Sequence, residues 1–506
     1  LNEHSINAIA GTELRETRSE TDANTIYGYS DDLLTTATVD FLHEHPTYIN
    51  GSYGFIPDGI DLSERYNRFV SLFANAAYTY KNKYTLSGSL RRDASNLFGV
   101  NTNDKWKPFW SAGIAWDIVK EGFYKSSLFP YLRLRATYGA SGNVDQSKSA
   151  VTVITYMGTF SYTNFPYARV SQFSNPDLRW EKVNTLNFGI DFSLKKQIVS
   201  GSIEYYRKNG TDLFGPSPID YTAGTMSNIL TQNIANMKSN GVEISLQSKN
   251  IDRAIKWFTT LLFSYNLSKT TAYYAAEGQK FRPGYGRDIS PIVGKPLYSI
   301  LSYRWGGLDP ATGNPRGYLN KDLSTNYLAI FNSITSPDSL VYSGPATPKY
   351  FGSIINTVNW KGFSITASIS YKLGYYFRRS SIDYGNLFSN GIGHPDFSKR
   401  WKQPGDEQFT NIPSMSYPAN SRRNQFYLLS EATVSKGDHV RLQFINLAYD
   451  FASDKKAGNF FTSLQLYFNA SNLGLLWKAN KEGIDPDFPS SIPSSKTYAV
   501  GIRTTF

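Results

Sequence analysis

Apolar and polar residues trade places at every second position through most of this chain, and that habit restricts its folds more than any other feature. Successive side chains of a strand point to opposite faces. The last twelve residues show the pattern plainly. Tyr498, Val500, Ile502 and Phe506 fall on one face, and Thr497, Ala499, Gly501, Arg503 and Thr505 on the other. Read along the chain, the alternation predicts about fourteen strands: 4–16, 68–80, 83–92, 107–119, 131–139, 183–194, 198–207, 239–249, 255–268, 349–359, 362–372, one from Asp438, 460–470 and 495–506. The strand from Asp438 alternates through Val440, Leu442 and Phe444, then slips phase at Ile445, which predicts a bulge.

The connections carry a second regularity. Long and short links alternate. The long ones are 17–67, 140–182, 208–238, 269–348, 373–437 and 471–493, and between them lie tight links such as Lys81-Asn82, 195–197 and Trp360-Lys361. A soluble sandwich has no reason for this two-sidedness. A transmembrane antiparallel β-barrel has one, with short turns at one rim and long loops at the other. Its apolar faces must lack charge, because an Arg or Lys at the bilayer midplane costs about 2–4 kcal/mol. The apolar faces here meet that condition. With the short turns periplasmic, the last strand descends and Phe506 lies at the periplasmic rim.

Composition agrees with this fold class. Mean hydropathy is −0.38, as expected when half of each strand faces a polar lumen. No apolar run reaches the ~18 residues of a membrane helix. The 36 Tyr, 32 Phe and 9 Trp suit interfacial girdles. The absence of cysteine excludes disulfides and thiolate metal sites. The net charge of +11 is spread over turns and loops, with no nucleic-acid-binding motif. The chain opens almost at once into a strand, with no leader-like stretch before it.

Several stretches resemble those of SusC/RagA-like TonB-dependent transporters. They are Leu90-Arg-Arg-Asp-Ala-Ser-Asn-Leu-Phe-Gly99, Leu132-Arg-Leu-Arg-Ala-Thr-Tyr-Gly-Ala-Ser-Gly-Asn143, Asn175-Pro-Asp-Leu-Arg-Trp-Glu-Lys182 and Gly201-Ser-Ile-Glu-Tyr-Tyr-Arg207. Further on come Asn240-Gly-Val-Glu-Ile-Ser245, Trp305-Gly-Gly-Leu-Asp-Pro-Ala-Thr-Gly-Asn-Pro315, Thr347-Pro-Lys-Tyr-Phe-Gly352, Val440-Arg-Leu through Tyr449, Phe468-Asn-Ala-Ser-Asn-Leu473 and Gly483-Ile-Asp-Pro486. They occur in the family's order over nearly the whole chain. The resemblance implies active import of oligosaccharides or peptides across the outer membrane of a Gram-negative bacterium. It implies a plugged 22-stranded barrel, a SusD-like surface lipoprotein as partner, energy from TonB–ExbB–ExbD, and contact with outer-membrane lipid and lipopolysaccharide. Against that pattern, about eight strands, the plug and the TonB-binding box are expected to be missing, so the chain reads as the C-terminal part of the barrel.

The sequence offers little for catalysis and implies no cofactor. His43-Glu44-His45 lacks a third metal ligand nearby. Asp309, Asp322, Asp485 and Asp487 lie in Gly/Pro-rich loops, where Asx-turns are a better account than Ca²⁺. Substrate binding is expected in the long loops. Tyr285, Trp305, Tyr375, Tyr376 and Trp401 would stack on a ligand, and Arg378, with Arg379 and Arg400, would hydrogen-bond its oxygens. The same residues would equally serve to pack the loops together, and Arg422-Arg423 would face lipopolysaccharide. Two other architectures stay open. A passive fourteen-strand porin requires the first and last strands to pair. A surface adhesin or enzyme on a barrel base requires a clustered constellation in one loop.

Overall fold

The computed structural model describes residues 3–48, 51–96, 107–143, 151–160, 162–163, 165–175, 177–220, 222, 229–274, 283, 291–451 and 463–505. Fourteen strands form one antiparallel sheet in which each neighbours the next in sequence. They are β1 His4–Ala23, β2 Asp61–Tyr80, β3 Tyr84–Ser95, β4 Lys107–Asp117, β5 Tyr131–Asn143, β6 Glu181–Ser193 and β7 Val199–Pro218. The remainder are β8 Ile229–Asp252, β9 Ile255–Tyr273, β10 Tyr350–Trp360, β11 Phe363–Leu373, β12 His439–Phe451, β13 Ser463–Lys478 and β14 Thr497–Thr505. The predicted link 452–459 and Phe506 lie outside the described residues.

The register turns the alternation into two surfaces. One cross-strand row runs Ile6, Tyr78, Leu86, Ile114, Ala136, Phe188, Tyr205, Val242, Tyr265, Tyr350. It crosses ten strands without a charge. The neighbouring row on the other face runs Asn7, Ala77, Ser87, Gly113, Thr137, Asn187, Tyr206, Gly241, Asn266. Small and polar residues dominate there. Leu86 is 58% exposed, Ile114 59% and Phe188 50%. Each such side chain gains about 1.5–3 kcal/mol on leaving water, so a bare stripe of them demands an apolar solvent. The polar face carries charge, part of it joined in one cluster. Arg135 donates to both oxygens of Asp191, at 2.7 and 2.9 Å, and to Glu204 at 2.8 Å.

Several strands run longer than expected, while β4 and β14 each fall two residues short at one end. β7 and β8 run on as a ladder to Pro218 and Ile229, through much of the predicted loop 208–238. Lipid enforces alternation only across the hydrocarbon. Beyond it the backbone ladder continues without the apolar rhythm that reveals it. The expected bulge in β12 sits two residues earlier than the phase slip suggests. Ile369 pairs with Leu442 and Ser368 with Phe444, leaving Gln443 as the extra residue.

The long loops also hold more order than their sequences suggest. Among the described residues, the largest buried apolar cluster lies outside the sheet, where Leu301, Tyr303, Tyr327, Ile330, Leu340, Phe426 and Leu429 pack together. A second cluster gathers Ile382, Tyr384 and Ile412. Three short helices feed them: α1 Tyr327–Asn332, α2 Tyr384–Asn390 and α3 Ser421–Leu428. Asn326, Asp383 and Asn420 cap their N-termini with side-chain oxygens.

Candidate functional site: a cleft in the loop lobe

The loop segments 374–438 and 479–496 face each other across two adjoining cavities. The smaller, about 540 Å³, is bounded by Lys372, Tyr375, Tyr376, Arg378 and Asp487. The larger, about 1400 Å³, lies between 379–412 and 481–493. Ser380, Pro489 and Ser490 border both. The 479–496 segment is therefore a shared wall.

Charges at the top of the sheet hold that wall. Arg441 of β12 grips Asp485 with one nitrogen 2.6 and 2.7 Å from its two oxygens, and reaches Asp487 at 3.2 Å. Lys372, at the end of β11, donates to Asp487 at 2.7 Å. His439 Nε2 lies 3.3 Å from the same carboxylate. Its Nδ1 lies 2.8 Å from the Gly437 carbonyl and 3.2 Å from the Tyr375 hydroxyl. Burial pushes the Asp487 carboxyl up, but His439 and Lys372 outweigh it and hold the group well below the usual carboxylate range. Asp485 also accepts the Asp487 amide at 3.1 Å, closing an Asx-turn. Two stretches quoted above for their resemblance, from Val440 and from Gly483, meet in this cluster.

The predicted ligand-binding residues divide by environment. Tyr375 and Tyr376 border the smaller cavity. Tyr375 is itself buried, and burial with Asp487, Asp438 and Asp485 nearby drives its phenol well above the usual range. Tyr376 is half-buried, with its ring against Gly344. Arg378 is buried and its guanidinium is engaged by the protein. It donates to Ser430 O and Thr433 Oγ1, both at 2.7 Å, and to Leu301 O and Ser302 Oγ, both at 2.8 Å. It thus ties the loop before β10 to the loop before β12. Trp401 is also buried, its Nε1 on Glu407 at 3.2 Å and its ring against Gly313. Trp305 stacks near Phe426 and Tyr427, with its amide on Glu431. Tyr285 lies outside the described residues.

Several other side chains are also absorbed into the lobe. Arg379 pairs with Asp396 at 2.5 Å, and Ser381 donates to the same oxygen at 2.6 Å. Arg423 is turned inward onto Asn314 and Ser414, so only Arg422 of that pair is exposed. Asp309 accepts the amides of Ala311 and Thr312 in an Asx-turn. Among the described residues, no group of three His, Asp or Glu is placed to hold a metal ion.

One trio approaches the arrangement of a hydrolase. Ser380 Oγ lies 3.4 Å from His394 Nε2, and Asp396 Oδ2 lies 3.7 Å from His394 Nδ1. However, Nδ1 accepts the Asp396 backbone amide at 3.1 Å. A neutral ring must then carry its proton on Nε2, where it faces Ser380 as donor. That is the reverse of the tautomer a general base needs.

Sequence reasoning singled out Asp485 and Asp487 only as Asx-turn residues and missed their partners Lys372, His439 and Arg441. The available signal was the pair of family-like stretches that carries Arg441 and Asp485.

An open antiparallel wall with an oily outer face, a polar inner face and a folded cap at one rim defines an outer-membrane β-barrel protein. Residues 5–390 match the model of the TonB dependent receptor-like β-barrel family. The chain belongs to that family, whose place is the Gram-negative outer membrane. It is 26% identical over 505 residues to a TonB-dependent receptor of Formosa agariphila, covering 91% of this chain and 47% of the relative. To the TonB-dependent receptor SusC of Bacteroides thetaiotaomicron it is 24% identical, covering 87% of this chain and 44% of SusC. A structure of the RagAB peptide transporter superposes with a TM-score of 0.76 at 22% identity, over 100% of this chain and 54% of that one. The chain thus spans about half the length of the curated relatives it matches.

Proposed function

We propose that this chain is the C-terminal part of the wall of an active importer that carries peptides or oligosaccharides across the outer membrane. The observation that carries this reading is the open sheet. Among the described residues, β1 and β14 occupy opposite edges and share no ladder. A membrane-spanning sheet must close, because unpaired backbone groups in hydrocarbon are costly. The fourteen strands are thus read as part of a larger barrel, of 22 strands by family resemblance. Closure then involves segments that the longer relatives have beyond the matched half.

In this reading the short turns, and the C-terminal end of β14, face the periplasm, and the loop lobe faces outward. A SusD-like lipoprotein covers the lobe, and TonB–ExbB–ExbD supplies energy through the rest of the receptor. SusC as a relative, and the RagAB peptide transporter as a structural neighbour, support the two substrate classes. The protein binds and moves its substrate without chemistry. The His394 tautomer argues in the same direction.

Growth tests the proposal. A strain lacking the full-length receptor, supplied with defined peptides or defined glycans as nutrient, should lose growth on one class. Loss of TonB should reproduce that defect. Uptake that needs the receptor but not TonB would instead identify a passive pore.

A further inference from the structure

We propose that the larger cleft takes an acidic peptide, an inference that rests on the importer reading and narrows its substrate. At about 1400 Å³ the cleft exceeds the few hundred to a thousand cubic ångströms typical of small-molecule sites. It suits a short oligomer.

Its charges are unevenly engaged. Of four lining carboxylates, three are turned to internal partners. Asp396 is held by Arg379 and Ser381, and Asp485 by Arg441. Asp406 accepts the backbone amides of Lys402 and Gln403 at 2.9 and 3.1 Å. The cations are less occupied. Lys399, Lys402 and Lys481 line the cleft and are exposed, and none of their ammonium groups meets a carboxylate among the described residues. The Arg400 guanidinium lies over the Phe397 ring, 4.0 Å from its centre, and gives one nitrogen to the Phe397 carbonyl at 2.9 Å. Against them stands the fourth carboxylate, Glu482, which is exposed, so the lining presents a net positive charge to whatever enters.

Its apolar groups separate peptide from sugar. Phe409 is 89% exposed and Ile492 is 91% exposed, one on each wall. A branched aliphatic side chain offers no flat platform to a sugar ring but packs well on peptide side chains. Among the described residues, Phe409 is the one well-exposed ring of the lining, which holds no Trp or Tyr, so a sugar finds no second aromatic face to lie against. Ammonium groups beside isolated apolar side chains match a chain that carries carboxylates and hydrocarbon together.

The test uses the purified full-length receptor and fluorescein-labelled hexapeptides. An acidic peptide is compared with neutral and basic ones of equal length and with an oligouronic acid of similar charge. The acidic peptide should bind at least tenfold tighter than the neutral one, and added salt should erase the difference. Lys399→Gln, Lys402→Gln and Lys481→Gln together should weaken the acidic peptide roughly tenfold, the sum of three exposed charge contacts, and leave the neutral one unchanged. All three positions are exposed, so folding is not at stake, and Lys361→Gln at the far rim is the control. Equal affinity for acidic and neutral peptides, or tighter binding of the oligouronic acid, would overturn the proposal. So would an unchanged triple variant. Cellular uptake keeps the two readings apart. Charge-blind import would defeat the acidic-peptide proposal alone, and tight binding without import would defeat the importer reading alone.

Discussion

Replacing Arg441 with Met should detach the 479–496 segment from the top of the sheet while leaving the strands in place. Arg441 keeps only 10% of its side chain exposed and Asp485 14%, so the pair is largely shielded from water. Removing one partner of a buried pair costs about 3–5 kcal/mol, chiefly because the other charge is stranded. Here the stranded group is Asp485, since Asp487 keeps Lys372 and His439. The lower end of that range already raises the opening equilibrium of the segment roughly a hundredfold. Hydrogen exchange read by mass spectrometry on the membrane-embedded receptor would measure it. The amides of Ala479, Asp487 and Phe488, now bonded to Asp438 O, Asp485 Oδ1 and Asp485 O, should lose protection. Those of β3 should not change. Arg441→Met combined with Asp485→Leu should recover much of the protection, because no charge is then left unpartnered. Wild-type exchange in the single variant, or a double variant as loose as the single one, would refute the reasoning.

Three other outcomes follow from the same structure. The segment around Arg379, His394 and Asp396 should grow more open to protease as pH falls from 7 towards 3. Burial lowers the His394 pKa, and Ser381 and Arg379 overcome the burial of Asp396 to lower its pKa as well. Both groups bind fewer protons folded than unfolded, so stability is full above their ordinary values and is lost on acidification; cleavage independent of pH would contradict this. Gly313→Ala should loosen the lobe by about 1–3 kcal/mol: an added Cβ would lie 2.4 Å from the Trp401 ring at a backbone φ of +66°, and an unshifted Trp fluorescence unfolding curve would count against it. Leu86→Arg, on the oily face, should cost about 2–4 kcal/mol in vesicle unfolding titrations, whereas Ser87→Arg should cost far less; equal costs would mean the two faces are misassigned.

The strands were legible because lipid imposes a rule that shows in single residues. Leu86 and Ser87 differ in the way that their two surroundings require. Where lipid ends, the rule ends, and the ladder from Lys208 to Pro218 was invisible for that reason. The loop lobe was harder to read. Arg378 and Lys399 are both basic residues in one long connection, yet one is buried among carbonyls and the other exposed. Nothing local separates them, because the difference lies in contacts to segments between 52 and 77 residues away. The rim cluster was hidden similarly, since Lys372 and Asp487 meet across 115 positions.

A wall without an oily centre carries a cap that has one. The links at the opposite rim are short, so the long connections and the cap they form gather at one end of the sheet. Once Phe426 and its neighbours have gathered, withdrawing a hairpin would mean dismantling them against the hydrophobic effect. The cap therefore acts as the head of a rivet, resisting withdrawal of the strands it joins.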